Sequence, residues 1–254
     1  MSDNIPKHAL VRQPGDRYRS CISSHPLRHL VDLNLARKQH EEYCRVLRDL
    51  GLEVITLPRD DIHPDSCFVE DNAVIHKGRA LICRMAKDSR RGEEEAVMEF
   101  LKTYMPVKKA EYPATVEGGD VVHLQDRLIS GVTERTNMDG VRQMREWLNV
   151  KVDVIENQKI VHLKSYITYL GRRTVVATED YVKHPVLEGL KAIVVPKEEA
   201  YAANTLAVGD VVLMPRKYPR AHELVRRAGF EVRPIEVSEF EKCEGAITCL
   251  SLLF

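Results

Sequence analysis

A cysteine, a histidine and several carboxylates fall in five short segments whose residue types could support nucleophilic and acid–base chemistry. The segments are DDIHPDSCFVEDN (60–72), ATVEGGD (114–120), NQKIVHLKS (157–165), KEEAYAANT (197–205) and EFEKCEGAITCLS (239–251). Cys249 is a candidate nucleophile, His162 a candidate acid and base, and Glu117 the group that would orient the histidine. A distant cysteine, histidine and acid form such a set only when the fold brings them together. Taken singly, each residue has an ordinary reading. Cys249 lies in an apolar run, GAITCLSLLF, where a cysteine is usually a small buried hydrophobe. His162 reads as a strand histidine, and Glu117 as the start of a Gly118-Gly119 turn.

Asp65, Glu70 and Asp71 surround the apolar pair Phe68-Val69, and such an acidic loop would suit a cationic planar group. Arg90 in Arg90-Arg91 and Arg135 in ERTN each precede a helical stretch. Arginines there are usually solvated, but a guanidinium fork can also grip a carboxylate through two parallel hydrogen bonds. HExxH, paired-cysteine and Asp-rich calcium signatures are missing, as are the glycine-rich phosphate loops. Neither a metal nor a cofactor is therefore expected.

The elements between these segments repeat. AVIHKGRALICR (73–84) predicts a hairpin, Asp88 to Tyr104 a helix, and VKKAEYP a strand. The same order returns as DVVHLQDRLISG, a helix from Asn137 to Leu148, and VKVDVIE. It returns again as IVHLKSYITYLGRRTVVAT, a short helix before Leu190, and KAIVVP. A fourth copy is TLAVGDVVLMP, a helix from Tyr218 to Ala228, and FEVRPIE. The remaining copy starts at HALVRQP, runs through a helix from Leu33 to Leu50, and ends in EVITLP, with AITCLSLLF as the strand that completes its sheet. Hairpins recurring about every 40 to 47 residues indicate an array or propeller, and closing the ring hides the sheet edges an open array would expose. The expectation is one α/β domain over residues 1–254, a five-bladed propeller of ββαβ units around a central pocket. An ordinary α/β domain with alternating strands and helices is the alternative. In the ring, the five segments converge on the axis.

Bulk properties agree with a small-molecule partner. The 254 residues are 44% hydrophobic, and 38 basic residues balance 38 acidic ones, so no field draws the chain to nucleic acid or an anionic membrane. No segment approaches the roughly 20 apolar residues that span a bilayer, and cytoplasmic residence is the default. The six cysteines show no paired spacing and are expected as free thiols.

FVED (68–71), EGGD (117–120), ERTN (134–137), HLKS (162–165), AAN (202–204) and the terminal TCLSLLF together resemble the dimethylarginine dimethylaminohydrolase family of the guanidino-group-modifying superfamily. The resemblance spans essentially the whole chain and implies a five-bladed α/β propeller. It also implies that Cys249 attacks a guanidinium carbon, that His162 protonates the departing amine, and that water activated by His162 hydrolyses the thiouronium. Glu117 would orient His162, and Glu70 and Asp71 would hold the guanidinium. Arg90 and Arg135 would bind the α-carboxylate, with Asp65 near the α-amino group and Ile22 offering a backbone contact from RQPGDRYRSCIS. Homodimerisation is a further expectation from the family.

Within that superfamily the leading reading is hydrolysis of an N-omega-methylated arginine to citrulline and a methylamine. Arginine deiminases typically carry HLD where this chain has HLKS, so Lys164 favours the methylated substrate. Amidino transfer and a non-catalytic, ring-shaped binding protein are the other readings. Retention of cysteine, histidine and acid together opposes the last.

Overall fold

The computed structural model describes residues 6–254. Its strands form five separate three-stranded sheets, in the order the repeat predicts. In the first unit, β1 (His8–Val11) leads through α1 (Leu33–Asp49) to β2 (Glu53–Thr56). The second comprises β3 (Ala73–His76), β4 (Arg79–Ile82), α2 (Glu94–Leu101) and β5 (Val107–Lys109). The third comprises β6 (Val121–His123), β7 (Leu128–Val132), α3 (Met138–Leu148) and β8 (Val152–Glu156). The fourth contains β9 (Ile167–Gly171), β10 (Thr174–Ala177) and β11 (Lys191–Val194). The fifth contains β12 (Leu206–Val208), β13 (Val211–Pro215), α4 (Pro219–Arg227) and β14 (Glu231–Ile235).

In units two to five the first strand pairs antiparallel with the second, and the second pairs parallel with the third after the crossover. The first unit obtains its antiparallel strand from the far end of the chain. β15 (Leu252–Leu253) pairs with β1, Ala9 opposite Leu253, and β1 pairs parallel with β2. The chain thus closes the ring on itself, as the repeat requires.

Local signals account for the helices that form. Asp32 caps α1 by accepting from Asn34 N and Leu35 N at 2.9 and 3.1 Å, and Ala36, Tyr43, Val46 and Leu47 give the helix its buried stripe. Asn137 caps α3 by accepting from Gly140 N at 2.9 Å, and the helix ends on Asn149 in the left-handed region.

Three expectations are corrected. The helix expected over Asp88 to Tyr104 is α-helical only over Glu94–Leu101, because Gly92 takes φ +107° and interrupts it after a 3-10 turn at Asp88–Arg90. The fourth unit has a single 3-10 turn, Pro185–Leu187, where a short helix was expected. The stretch is too brief to recover the cost of nucleating an α-helix and is stopped by Gly189 at φ +79°. AITCLSLLF is a strand only at its end, and Cys249 lies in a 3-10 turn, Thr248–Leu250.

A fourth correction concerns the thiols. Cys21 and Cys243 form a disulfide with Cα atoms 5.8 Å apart, although 222 residues separate them in sequence. The fold brings them together by laying the first-unit loop against the final loop. Ser23 Oγ donates to Lys242 O, and Ser24 N and Oγ donate to the Glu244 carboxylate. Cys44, Cys67, Cys83 and Cys249 remain free and buried. Among the described residues no helix is long and apolar enough to cross a membrane.

Candidate active site

The first strand of each of units two to five, and β15 of the first, is preceded by a 3-10 segment, a single turn in four cases and a longer stretch kinked at Glu199 in the fifth unit. These turns span Val69–Asn72, Gly118–Asp120, Leu163–Ser165, Lys197–Ala203 and Thr248–Leu250. The Val69–Asn72 turn packs against the Thr248–Leu250 and Gly118–Asp120 turns. The latter packs against Leu163–Ser165, which in turn meets Lys197–Ala203. Glu117 and His162 occupy the cap positions of their turns, so both side chains leave extended backbone at equivalent places in neighbouring blades.

Close approach explains the two glycines of EGGD. A β-carbon on Gly118 would lie 2.0 Å from the Glu70 carbonyl oxygen. One on Gly119 would lie 2.7 Å from both Asp71 Oδ1 and His162 Nδ1. Here the absent side chains are what let three loops meet.

His162 Nε2 and Glu117 Oε2 are 2.8 Å apart, and Asp71 Oδ1 is 3.7 Å from the same nitrogen. Asp71 also accepts from Gly119 N at 3.0 Å and from Arg90 Nη1 at 2.9 Å. Burial by itself would lower the His162 pKa. The charge of Asp71, the hydrogen bond and charge of Glu117, and the charge of Asp120 outweigh it and push the value up to about 9. Burial and the carboxylates of Glu70 and Asp71 drive the Cys249 thiol well above its usual range. At neutral pH the unliganded site therefore holds an imidazolium and a neutral thiol.

Glu70 is turned to other partners. Its two oxygens accept from Lys164 Nζ and Thr248 Oγ1, each at 2.5 Å. Burial raises its pKa despite those contacts. Asn204 joins the neighbouring turns, accepting from Thr248 N at 2.9 Å and donating through Nδ2 to Thr248 Oγ1 and the Lys164 carbonyl. Lys164, Glu70 and Thr248 also line a cavity of about 990 Å³, together with residues of the hairpin turns at Lys77–Gly78, Arg172 and Asp210.

The two arginines are buried, against the ordinary expectation for such residues, but they differ. Arg90 donates through Nε and Nη2 to Glu93 and through Nη1 to Asp71, which leaves it little free hydrogen-bonding capacity. Arg90 ends the 3-10 turn that precedes the break at Gly92. Arg135 has buried Nε and Nη1 groups with no hydrogen-bond partner, its nearest carboxylate oxygen on Glu117 being 3.8 Å from Nη1. Such a donor suits an anion brought by a ligand. Asp65 is buried and accepts from Ile22 N at 3.3 and 3.2 Å, so Asp65 and the backbone of Ile22 form one unit at the first-unit loop.

Asp71, Glu117 and His162 place one ligand-type atom each within 4.8 Å of one another. Those atoms are already committed to Gly119, Arg90 and each other. Residues that drew no attention as site candidates in the sequence, notably Thr248, Asn204 and Asp120, hold the turns together. All three lie in the chemistry-rich linking segments, which was the available signal.

The family model described as N,N dimethylarginine dimethylhydrolase, eukaryotic, matches residues 16–249. The chain is 36% identical to an N(G),N(G)-dimethylarginine dimethylaminohydrolase of Pseudomonas aeruginosa, covering 98% of this chain and 99% of that one. A Streptomyces coelicolor protein of the same name is also 36% identical, over 97% and 96% of the two chains. A solved Pseudomonas aeruginosa structure, a cysteine-to-serine variant complexed with citrulline, superposes with TM-score 0.94 at 35% identity, covering 98% of this chain and all of that one. The N-terminal domain of a cyanobacterial arginine dihydrolase shares the fold, with TM-score 0.89 at 21% identity. Five closed blades, loops that meet at the axis, and matches over nearly the full length place this chain in the dimethylarginine dimethylaminohydrolase family.

Proposed function

We propose that the chain hydrolyses an N-omega-methylated arginine to citrulline and a methylamine through a covalent intermediate on Cys249. The observation that carries the reading is the pairing of a protonated His162, held by Glu117, with a buried thiol in the same ring of turns.

The electrostatics give an order of events. The charges of Glu70 and Asp71 hold the Cys249 proton in place. A guanidinium cation seated against them offsets those charges, so with substrate bound the thiol gives its proton to solvent and the thiolate forms. Attack on the guanidinium carbon forms the S–C bond. His162 gives its proton to the nitrogen whose C–N bond breaks, and a neutral methylamine leaves. The histidine, now neutral, takes a proton from water, which adds to the thiouronium carbon. Collapse releases citrulline and returns the thiolate. Glu117 and Asp71 stabilise the imidazolium at both ends of this cycle.

At the other end of the substrate, Arg135 is the principal carboxylate partner, its donors being unengaged, with Arg90 beside it. Asp65 and the Ile22 backbone take the α-amino end. Lys164 supports methylated over free arginine by committing Glu70, which removes acceptor capacity that an unmethylated guanidinium would use.

Purified protein incubated with arginine, monomethylarginine, asymmetric dimethylarginine and agmatine is expected to release ureido product and amine chiefly from the methylated amino acids. Cys249→Ser is expected to bind substrate without turnover. Faster turnover of arginine would assign a deiminase, and full activity in Cys249→Ser would remove the cysteine mechanism.

A further inference from the structure

Asp120 closes the EGGD segment and is fully buried, yet it has no role in the reaction as written above. Among the described residues no lysine or arginine is hydrogen-bonded to its carboxylate. Its hydrogen bonds all run to groups that carry site residues. Oδ1 accepts from Leu163 N at 2.9 Å, the first amide after His162. Oδ2 accepts from Thr133 Oγ1 at 2.8 Å and from Thr136 Oγ1 at 2.6 Å. Those hydroxyls each pass the contact on. Thr136 Oγ1 accepts from Glu117 N at 3.2 Å, and Thr133 Oγ1 accepts from Arg135 N at 3.0 Å. The Asp120 amide donates back to Glu117 O at 3.0 Å, closing the turn that Glu117 caps.

We propose that Asp120 is a positioning residue for the reaction: one buried carboxylate sets His162, Glu117 and Arg135 relative to one another. Each arm is short and buried, and each ends on the backbone of the residue it places or of its immediate neighbour. Gly131 makes room for the carboxylate, since a β-carbon there would lie 2.8 Å from Asp120 Oδ1. The arrangement joins the acid to its orienting carboxylate through a third group. It also joins the chemical end of the site to the arginine that faces the other end of the substrate.

A purely structural role would need only acceptors for the Leu163 amide and the two hydroxyls. The charge does more, because it faces His162. Asp71, Glu117 and Glu134 also act on that ring, and two cations stand on the Glu117 carboxylate that holds it, Arg90 Nη1 at 3.5 Å and Arg135 Nη1 at 3.8 Å. The Asp120 pKa is itself raised to about 6 by burial, against the pull of His162 and its three hydrogen bonds. Around neutral pH it is ionised and favours the imidazolium.

The inference rests on the reading of His162 as the acid, and the variants separate the two. Asp120→Asn keeps the shape and the acceptor for Leu163 N while removing the charge. It is expected to fold, to keep KM within about twofold, and to lose up to about tenfold in kcat on the alkaline limb, the factor that corresponds to one pKa unit. The alkaline fall of its rate is expected to move to lower pH, and the His162 ring, followed by NMR, to titrate lower than in the parent. Thr136→Val cuts only the arm to Glu117 and is expected to lower kcat and shift the same limb. Thr133→Val cuts the arm to Arg135 and is expected to raise KM for methylarginine. That rise should be absent for a methylguanidine lacking the α-carboxylate. Thr136→Ser and Thr133→Ser are expected to restore parental behaviour.

Unchanged kcat and His162 titration in Asp120→Asn would overturn the proposal. So would losses in all three variants that simply track their melting temperatures. Absence of turnover in the parent would instead count against the hydrolase reading, while the NMR titration would still decide the role of Asp120.

Discussion

Gly119→Ala adds one methyl group at the point where three loops meet. Its β-carbon would stand 2.7 Å from Asp71 Oδ1, 2.7 Å from His162 Nδ1 and 2.8 Å from His162 Cγ, where ordinary contact begins at 3.4 Å. The neighbours must therefore give way by about 0.7 Å. Neither does so freely: His162 is held at 2.8 Å by Glu117, and Asp71 at 2.9 Å by Arg90. Passed to the ring, that displacement takes the His162–Glu117 hydrogen bond to the edge of hydrogen-bonding distance. Misplacing a reacting group by about 1 Å costs on the order of 10²-fold in rate, and overpacking a buried site costs about 1–3 kcal/mol. For a chain of this size each kcal/mol lowers the melting temperature by about 2–4 °C. Steady-state turnover of a methylarginine, set beside calorimetric melting, measures both. Activity within twofold of the parent with an unchanged melting temperature would show that the loops do not meet as described, and the account of EGGD would fail.

Three more outcomes follow from the same geometry. The folded pKa of His162 is raised from 6.5 to about 9, so the site stabilises the protonated ring; that contribution is complete below about pH 6.5 and disappears as pH rises through about 9. Glu117→Gln should remove most of this alkaline dependence and move the fall in kcat toward neutral pH; an alkaline limb still near 9 would contradict it. Lys164→Met releases Glu70 to the substrate, and because hydrogen bonds to charged groups contribute about 1.5–3 kcal/mol, the preference should shift toward free arginine by roughly tenfold or more, whereas an unchanged ratio of kcat/KM values would show that Lys164 does not govern selectivity. Replacing Cys21 and Cys243 together by alanine should cost about 2–4 kcal/mol of stability and raise KM with kcat preserved, since the tether lies beside the Ile22–Asp65 contact; equal melting and equal KM would refute that link.

The propeller was legible because alternating or continuous apolar runs bounded by turn residues recur in one order, hairpin, helix, strand, and that order survives even when sequence similarity between copies does not. What could not be read is whatever lacks a period. One-turn 3-10 helices carry no hydrophobic repeat, so Cys249 read as part of a strand when it sits at a tight turn. The disulfide depends on two loops 222 residues apart lying side by side, which no local spacing encodes. Arg90 and Arg135 were identifiable as arginines near helix starts, but only the carboxylates the fold places beside them decide that Arg90 is engaged while Arg135 is open. Lys164 was visible as a departure from HLD. Its direction, toward Glu70, was not.

The pairing of β15 with β1 bears on cooperativity. Four blades are each made from a continuous stretch, but the first needs Leu252 and Leu253 to complete it, and the turn carrying Cys249 lies immediately before them. Opening that one short ladder would release the nucleophile together with the ring closure, so partial unfolding there leaves no residual site. Amides of β1 should then exchange with solvent in the same cooperative unit as those of the Thr248–Leu250 turn, far more slowly than the hairpin turns at the opposite end of the blades. Protection of a strand that touches no substrate would thereby report whether the site is intact.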